Sequence, residues 1–183
     1  MTGGQIHTCT IQKRNRSRKF TYTGGTGTPV IGQTVTGGTS LKTAVITHVG
    51  SGYIIVKTLS GAFAASETIS SATFSGTLSA QADYQNQSGE YEYYWTNDQT
   101  SVACRFYYAG GGREGIIIHE TGQTIDLPLK CMLPSTCIVD ATEYRIVNGV
   151  SGFTGTYEIT ALYPRTGPEV IHHYEAVLRK VTT

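Results

Sequence analysis

Between Glu90 and Ala109 the chain reads EYEYYWTNDQTSVACRFYYA, its longest stretch without glycine or proline. A helix of ordinary length would have its best opportunity there. The stretch instead holds aromatic and β-branched residues, and no apolar stripe at i, i+3, i+4, i+7 runs through it. Period-two alternation is present, as it is in most other segments. His7–Gln12, Ala44–Val49, Tyr53–Thr58, Val102–Ala109, Gly115–Glu120, Gln123–Lys130, Glu143–Asn148, Gly155–Pro164 and Ile171–Val181 all read as strands. Gly50-Ser51-Gly52 is a hairpin-grade turn between two of them. Ser135–Ala141 is the one place where a short helical turn is expected. These readings predict an all-β fold, a small antiparallel β-barrel or sandwich.

Composition limits what such a fold does. The chain has 183 residues, enough to bury roughly 70% of its unfolded surface without disulfide staples. Charged residues make up 15%, against about 25% in an ordinary soluble domain, and the formal net charge is +1. That near-neutrality, with 12 tyrosines, excludes a disordered tail and a freestanding basic nucleic-acid binder. Met1–Gln5 lead directly into polar sequence, so no secretory leader is expected. No apolar run approaches the roughly 18 residues of a membrane-spanning helix, and no membrane partner is expected. Cys9, Cys104, Cys131 and Cys137 form no CxxC pair and read as buried small hydrophobes of a reducing cytosol. Cys131-x5-Cys137 is the only spacing near that of a metal half-site or a bridge.

The charge deficit is local. Residues 21–80 carry only Lys42, Lys57 and Glu67, amid Thr, Ser, Gly and small aliphatics. They read as a small β-hairpin module inserted into a larger β domain built from residues 1–20 and 81–183. Its expected core is Val35, Val45, Ile54, Val56, Leu59, Phe63, Ile69 and Phe74.

Three clusters are candidates for function. Lys13, Arg14, Arg16, Arg18 and Lys19 place five cations within seven residues. The run reads either as a solvated loop after the first strand or as a contact for DNA phosphates or an acidic partner, binding without sequence preference. Gly110, Gly111, Gly112 and Arg113 lie between two strands. Because a strand rather than a helix follows, hairpin chemistry explains them better than a phosphate-cradling loop. Tyr91, Tyr93, Tyr94 and Trp95 suit either a partner or sugar surface, or plain sheet packing. His172 and His173 are adjacent and face opposite sides of a strand, so they do not chelate together. No Ser-His-Asp or Cys-His arrangement has motif support.

With residues 21–80 set aside, the chain resembles the head-closure, or stopper, proteins at the neck of long-tailed bacteriophages. Gly4-Gln5-Ile6-His7-Thr8-Cys9-Thr10-Ile11-Gln12 is similar to the family's first strand. Tyr144-Arg145-Ile146-Val147, Tyr157-Glu158-Ile159-Thr160 and His172-His173-Tyr174-Glu175-Ala176-Val177-Leu178 are similar to its closing strands. Asp140 precedes the Tyr144 strand as an Asp does in that family. Ile6 stands where the family carries Arg, and the 21–80 segment has no counterpart in a minimal stopper. The resemblance implies a homo-oligomeric ring in the virion neck, at the head-tail interface, made in the host bacterial cytoplasm, a structural part with neither enzymatic turnover nor a cofactor. The ring would sit below the portal and adaptor proteins, retain packaged double-stranded DNA and dock the tail terminator or tail tube. In this reading the basic run faces the lumen or the adaptor, the glycine loop projects into the lumen, and the aromatics line an interface. Two alternatives stand beside it: a tail terminator or tail-completion ring, and a carbohydrate-binding adhesin module with Tyr91–Trp95 as its platform.

Overall fold

The computed structural model describes residues 7–109, 116–118, 124–126, 128–166 and 170–181. Among them there is no helix. The strands are, in chain order, β1 (His7–Arg16), β2 (Arg18–Gly27), β3 (Thr34–Gly37), β4 (Thr43–Gly50), β5 (Tyr53–Lys57), β6 (Thr68–Ser70) and β7 (Phe74–Asp83). They continue with β8 (Tyr93–Tyr108), β9 (Ile116–Ile118), β10 (Thr124–Asp126), β11 (Leu129–Pro134), β12 (Tyr144–Asn148), β13 (Gly155–Thr166) and β14 (Ile171–Lys180). The all-β expectation holds. Ser135–Ala141 is not helical: a turn at residues 135 and 136 is followed by irregular chain, which ends in an Asx turn where Asp140 Oδ1 accepts the N–H groups of Thr142 and Glu143 at 2.7 Å each.

Two compact units divide the chain. One comprises Met1–Arg14 with Trp95–Thr183, the other Asn15–Tyr94. The first contains a closed barrel in the order β1-β12-β13-β14-β11-β8. Its strands are antiparallel neighbours, with Ile11 opposite Ile146, Tyr157 opposite Ile146, and Cys131 opposite both Ala176 and Phe106. Alternation decides what fills it. Cys9 and Ile11, Cys104 and Phe106, Cys131 and Leu133, Ile146, Ile159, and Ala176 and Leu178 all point inward. Each large aliphatic or aromatic side chain so buried is worth about 1.5–3 kcal/mol. β9 and β10 form a separate two-stranded ladder.

The second unit is a closed barrel in the order β2-β5-β4-β3-β6-β7. It is therefore a complete six-stranded barrel with its own core, not a hairpin module. It also begins before residue 21 and ends after residue 80. Arg18 pairs with both Val56 and Asp83, and Ser17 exchanges backbone hydrogen bonds with Tyr84 and Glu92, so the pairing continues past the change in composition. Val35, Ile54, Val56, Phe63, Ile69 and Phe74 fill the core as expected, and Leu59 packs against it. Val45 does not, because Ala44 and Ile46 take the inward positions of β4. Phe20 and Leu78 were not foreseen there. Gly27 allows β2 to meet the turn before β7. Its φ is 74°, and a Cβ would lie 2.1 Å from the Thr73 carbonyl oxygen.

Closing both sheets removes the open strand edges that would otherwise invite pairing with another chain.

Candidate functional site

The basic run is strand, not loop. Lys13, Arg14 and Arg16 lie in β1, and Arg18 and Lys19 in β2; only Ser17 falls between them, and it is fully buried. The cationic side chains have partners within their own unit. In the first, Lys13 Nζ lies 5.6 Å from the Tyr144 ring centroid, while Arg14 is tied to the sheet by its backbone N–H, which donates to the Glu143 carbonyl at 2.7 Å. In the second, Arg16 and Arg18 donate to the two oxygens of Asp83 at 2.7 and 3.1 Å. Arg16 also stacks 4.2 Å from the Tyr91 centroid, and Lys19 Nζ sits 4.3 Å from that of Tyr53. Cationic groups laid over aromatic rings keep their charge outward while the stem covers apolar surface. That is why a segment with five cations remains a strand. The five do not all belong to one unit.

The aromatic block is divided in the same way. Tyr91, Tyr93 and Tyr94 belong to the second unit, where the Tyr94 hydroxyl accepts the Leu59 N–H at 3.2 Å. Trp95 belongs to the first, with the Arg145 guanidinium 4.4 Å from its ring centroid. Arg145 Nε donates to Gln12 Oε1 at 2.7 Å, fixing the guanidinium over the indole. One face each of Tyr91 and Trp95 is thus occupied by an arginine. Gly110, Gly111, Gly112 and Arg113 lie outside the described residues.

Two clefts adjoin these residues. One, of about 350 Å³, lies in the second unit between Arg16, Arg18, Gln81, Asp83 and Tyr94. The other, of about 310 Å³, lies in the first unit between Arg14, Trp95, Thr142, Glu158 and Arg179. Each sets two arginines against one carboxylate; the first is about as apolar as polar, whereas the second is mostly polar and suits an anionic or hydrogen-bonding partner. Among the described residues no group of His, Cys, Asp and Glu has the geometry to hold a metal ion.

Sequence reasoning missed Glu175. The inward positions of β14 are Tyr174, Ala176 and Leu178, so alternation turns Glu175 outward, yet it is buried. Tyr107, Lys130 and Arg165 close over it, each donating to its carboxylate. The Tyr107 hydroxyl, then Lys130 and Arg165, hold the carboxyl down at about 2 against the opposing effect of burial. Because the folded pKa is depressed, the stability this site contributes is complete above the ordinary carboxylate value of 4.5 and is lost as pH falls through about 2. Urea midpoints measured from pH 6 to pH 2 are expected to fall more steeply for the native chain than for Glu175→Gln. Parallel curves would contradict this.

Compared with family models, with curated proteins and with solved structures, the chain gives no match.

Proposed function

We propose that the chain is a structural assembly protein of a long-tailed phage neck, a head-closure protein that forms a ring below the portal and adaptor. One observation supports this reading above others. The described motifs that carry the resemblance fall on β1, β12, β13 and β14, four consecutive staves of one closed barrel. β12, β13 and β14 are neighbours in the chain as well, so the weight falls on β1, which is far away in sequence and pairs directly with β12. The second barrel is then an addition carried between β1 and β8. The carbohydrate alternative draws less support, since arginines already cover one face of Tyr91 and of Trp95.

The test is occupancy. Purified chain mixed with a portal–adaptor complex from the phage that encodes it is expected to add a ring of density beneath the adaptor in negative stain. Density on isolated tail tubes instead would favour the terminator reading. Absence of the chain from purified virions by mass spectrometry would overturn both.

The DNA contact has its own measurement. Arg16 and Arg18 hold Asp83, so the variants of choice are Lys13→Gln and Lys19→Gln. If these amines meet phosphate, each change lowers the slope of log K against log salt by about 1 and weakens all DNA sequences alike. An unchanged slope means that the cations serve the barrels alone.

A further inference from the structure

The wall of the first barrel carries an open cleft. Where β8, β11 and β14 run side by side, Cys104, Cys131, Leu133 and Ala176 point into the core. The residues that alternate with them, Ala103, Arg105, Met132, Pro134 and His173, line a mostly apolar groove of about 330 Å³. Register builds it: Met132 lies opposite Arg105, and Pro134 opposite His173. On the same wall Tyr107, Lys130 and Arg165 direct their donors to Glu175. Arg105 is exposed, and among the described residues no carboxylate pairs with it. The groove is at the bottom of the range of roughly 300–1,000 Å³ typical of small-molecule sites and is open along the surface, so it suits a side chain presented by another protein surface.

A matching side chain is displayed by the same unit. Ile138 is 72% exposed, in the connection that leads from β11 past β8 to β12. It is held in place. Cys137, next to it, is buried in the core, and Gln99 Nε2 on β8 donates to the Ile138 carbonyl oxygen at 2.9 Å. The same amide lies 3.4 Å from Asp98 Oδ2. The Asx turn of Asp140 follows, with Glu143 exposed at its end. Ile138 is therefore an apolar side chain set among carboxylates, and the groove is an apolar surface beside an arginine. Two other exposed apolar side chains are set differently. Leu41 precedes Lys42, and the Tyr163 ring lies 6.0 Å from the Arg165 guanidinium, so each would bring a cation toward Arg105. Between Gln99 and Ala103, Ser101 occupies the left-handed region at φ 55° within β8. Such strain in a residue other than glycine persists where the surroundings fix it, and it collects at functional sites.

We propose that the groove between β8, β11 and β14 receives Ile138 of a second copy of this chain, with Asp98 and its neighbouring carboxylates facing Arg105. Two features favour a copy of the chain over other occupants. Closure of both barrels leaves no strand edge for pairing, so copies meet through their faces. The carboxylates around Ile138 complement the arginine of the groove, and complementary charge sets register and suppresses wrong partners. Ile138 and the groove are separate surfaces of one copy. Each copy thus offers one and takes the other, the heterologous arrangement that closes into rings. This contact rests on the ring reading above, for which it names the join between neighbours.

The experiment is crosslinking with the full chain. Ala103→Cys and Ile138→Cys chains are mixed in equal amounts with a short bismaleimide, free in solution and on the portal–adaptor complex. The four native cysteines are buried, so the added thiols are the ones that react, and the native chain is the control. A product of two chains joined through residues 103 and 138 is expected. Adding Arg105→Glu to the Ala103→Cys chain is expected to slow the linking about tenfold, and adding Asp98→Arg to the Ile138→Cys chain to restore it. All four positions are exposed, and circular dichroism establishes that each variant is folded. His173→Cys is the second groove position if Ala103→Cys fails to fold. Linking that is indifferent to both charge changes overturns the proposal, as does Ile138→Cys alone linking as well as the mixture. Residue 103 joined to the adaptor overturns it and leaves the ring reading standing. Linked copies with no ring of density beneath the adaptor uphold the contact and overturn the ring reading. Copies that stay unlinked in both settings overturn the contact, and the density then decides the ring reading by itself.

Discussion

Replacing Glu67 by alanine is expected to destabilise the second barrel by about 3–5 kcal/mol, as loss of a buried, fully hydrogen-bonded charge does elsewhere. Glu67 is only 4% exposed. Its carboxylate accepts the N–H groups of Thr39, Ser40 and Ala64 at 3.0, 2.8 and 2.7 Å, and the Ser40 hydroxyl at 2.8 Å. One side chain thereby ties the β3–β4 turn to the segment preceding β6. Burial pushes this carboxyl up, but the donors from Ser40, Thr39 and Ala64 outweigh it and hold it below the ordinary value. The surroundings are built around it. Ser66 occupies the left-handed region at φ 59°, and a Cβ on Gly37 would lie 2.5 Å from Glu67 Oε2. Alanine leaves these N–H groups without an acceptor in a site that does not collapse. Glu67→Gln keeps the volume but turns an NH2 group toward donors, so it is expected to recover only part of the loss. The folded pKa is depressed, so the contribution is complete above the carboxylate range and fades as pH falls through the lowered value. Urea titrations of both variants at pH 7 measure the effect. A change under about 1 kcal/mol for alanine would show that the turn, not the carboxylate, sets the geometry.

What the sequence made legible follows from how alternation works. β5, β12 and β14 match their expected spans closely; burial alternates through the whole of β12, whereas β5 is a short apolar run whose Ile54, Ile55 and Val56 are all buried, so its extent is legible but its facing is not. β4 was found but its facing was not. Ala44-Val45-Ile46 is apolar at three successive positions, so either phase fits, and only pairing with β5 settles which side is inward. β2 and β7 are rich in Thr, Ser and Gly, and their signal is weak until each is paired with the other. The basic run reads as solvated because its partners, Asp83, Tyr91, Tyr53 and Tyr144, lie far away in sequence. The same limit hid Glu175 and the gathering of Cys9, Cys104, Cys131 and Cys137 in one core. Alternation shows that a cysteine faces inward, but which cysteines meet depends on strand order, a property of closure and not of any one strand.

Phe20→Ala tests whether the two barrels are independent in energy as they are in composition. Phe20 is fully buried on β2, opposite Ile54, and meets Phe63 edge-to-face with centroids 4.8 Å apart. Truncating such a ring costs about 3–5 kcal/mol, the lost transfer energy plus the cavity left behind. A unit of the size of Asn15–Tyr94 has about 4–12 kcal/mol of stability in all, at 0.05–0.15 kcal/mol per residue. The substitution therefore removes a large share of it. The two core clusters have no residue in common, so the loss is expected to fall on the second core. Hydrogen exchange followed by mass spectrometry is expected to show β3–β6 exchanging through global opening of the second barrel, while β11–β14 keep native protection. Ile146→Ala, in the core of the first barrel, is expected to give the reverse pattern. Equal loss of protection in both barrels would mean that β1 and β8, which run through the boundary between the units, bind them into one cooperative structure. In that case the second barrel could not be removed without unfolding the first. If the barrels open separately, deleting the second leaves a first barrel that carries all four staves of the proposed stopper and can be assayed for ring formation alone.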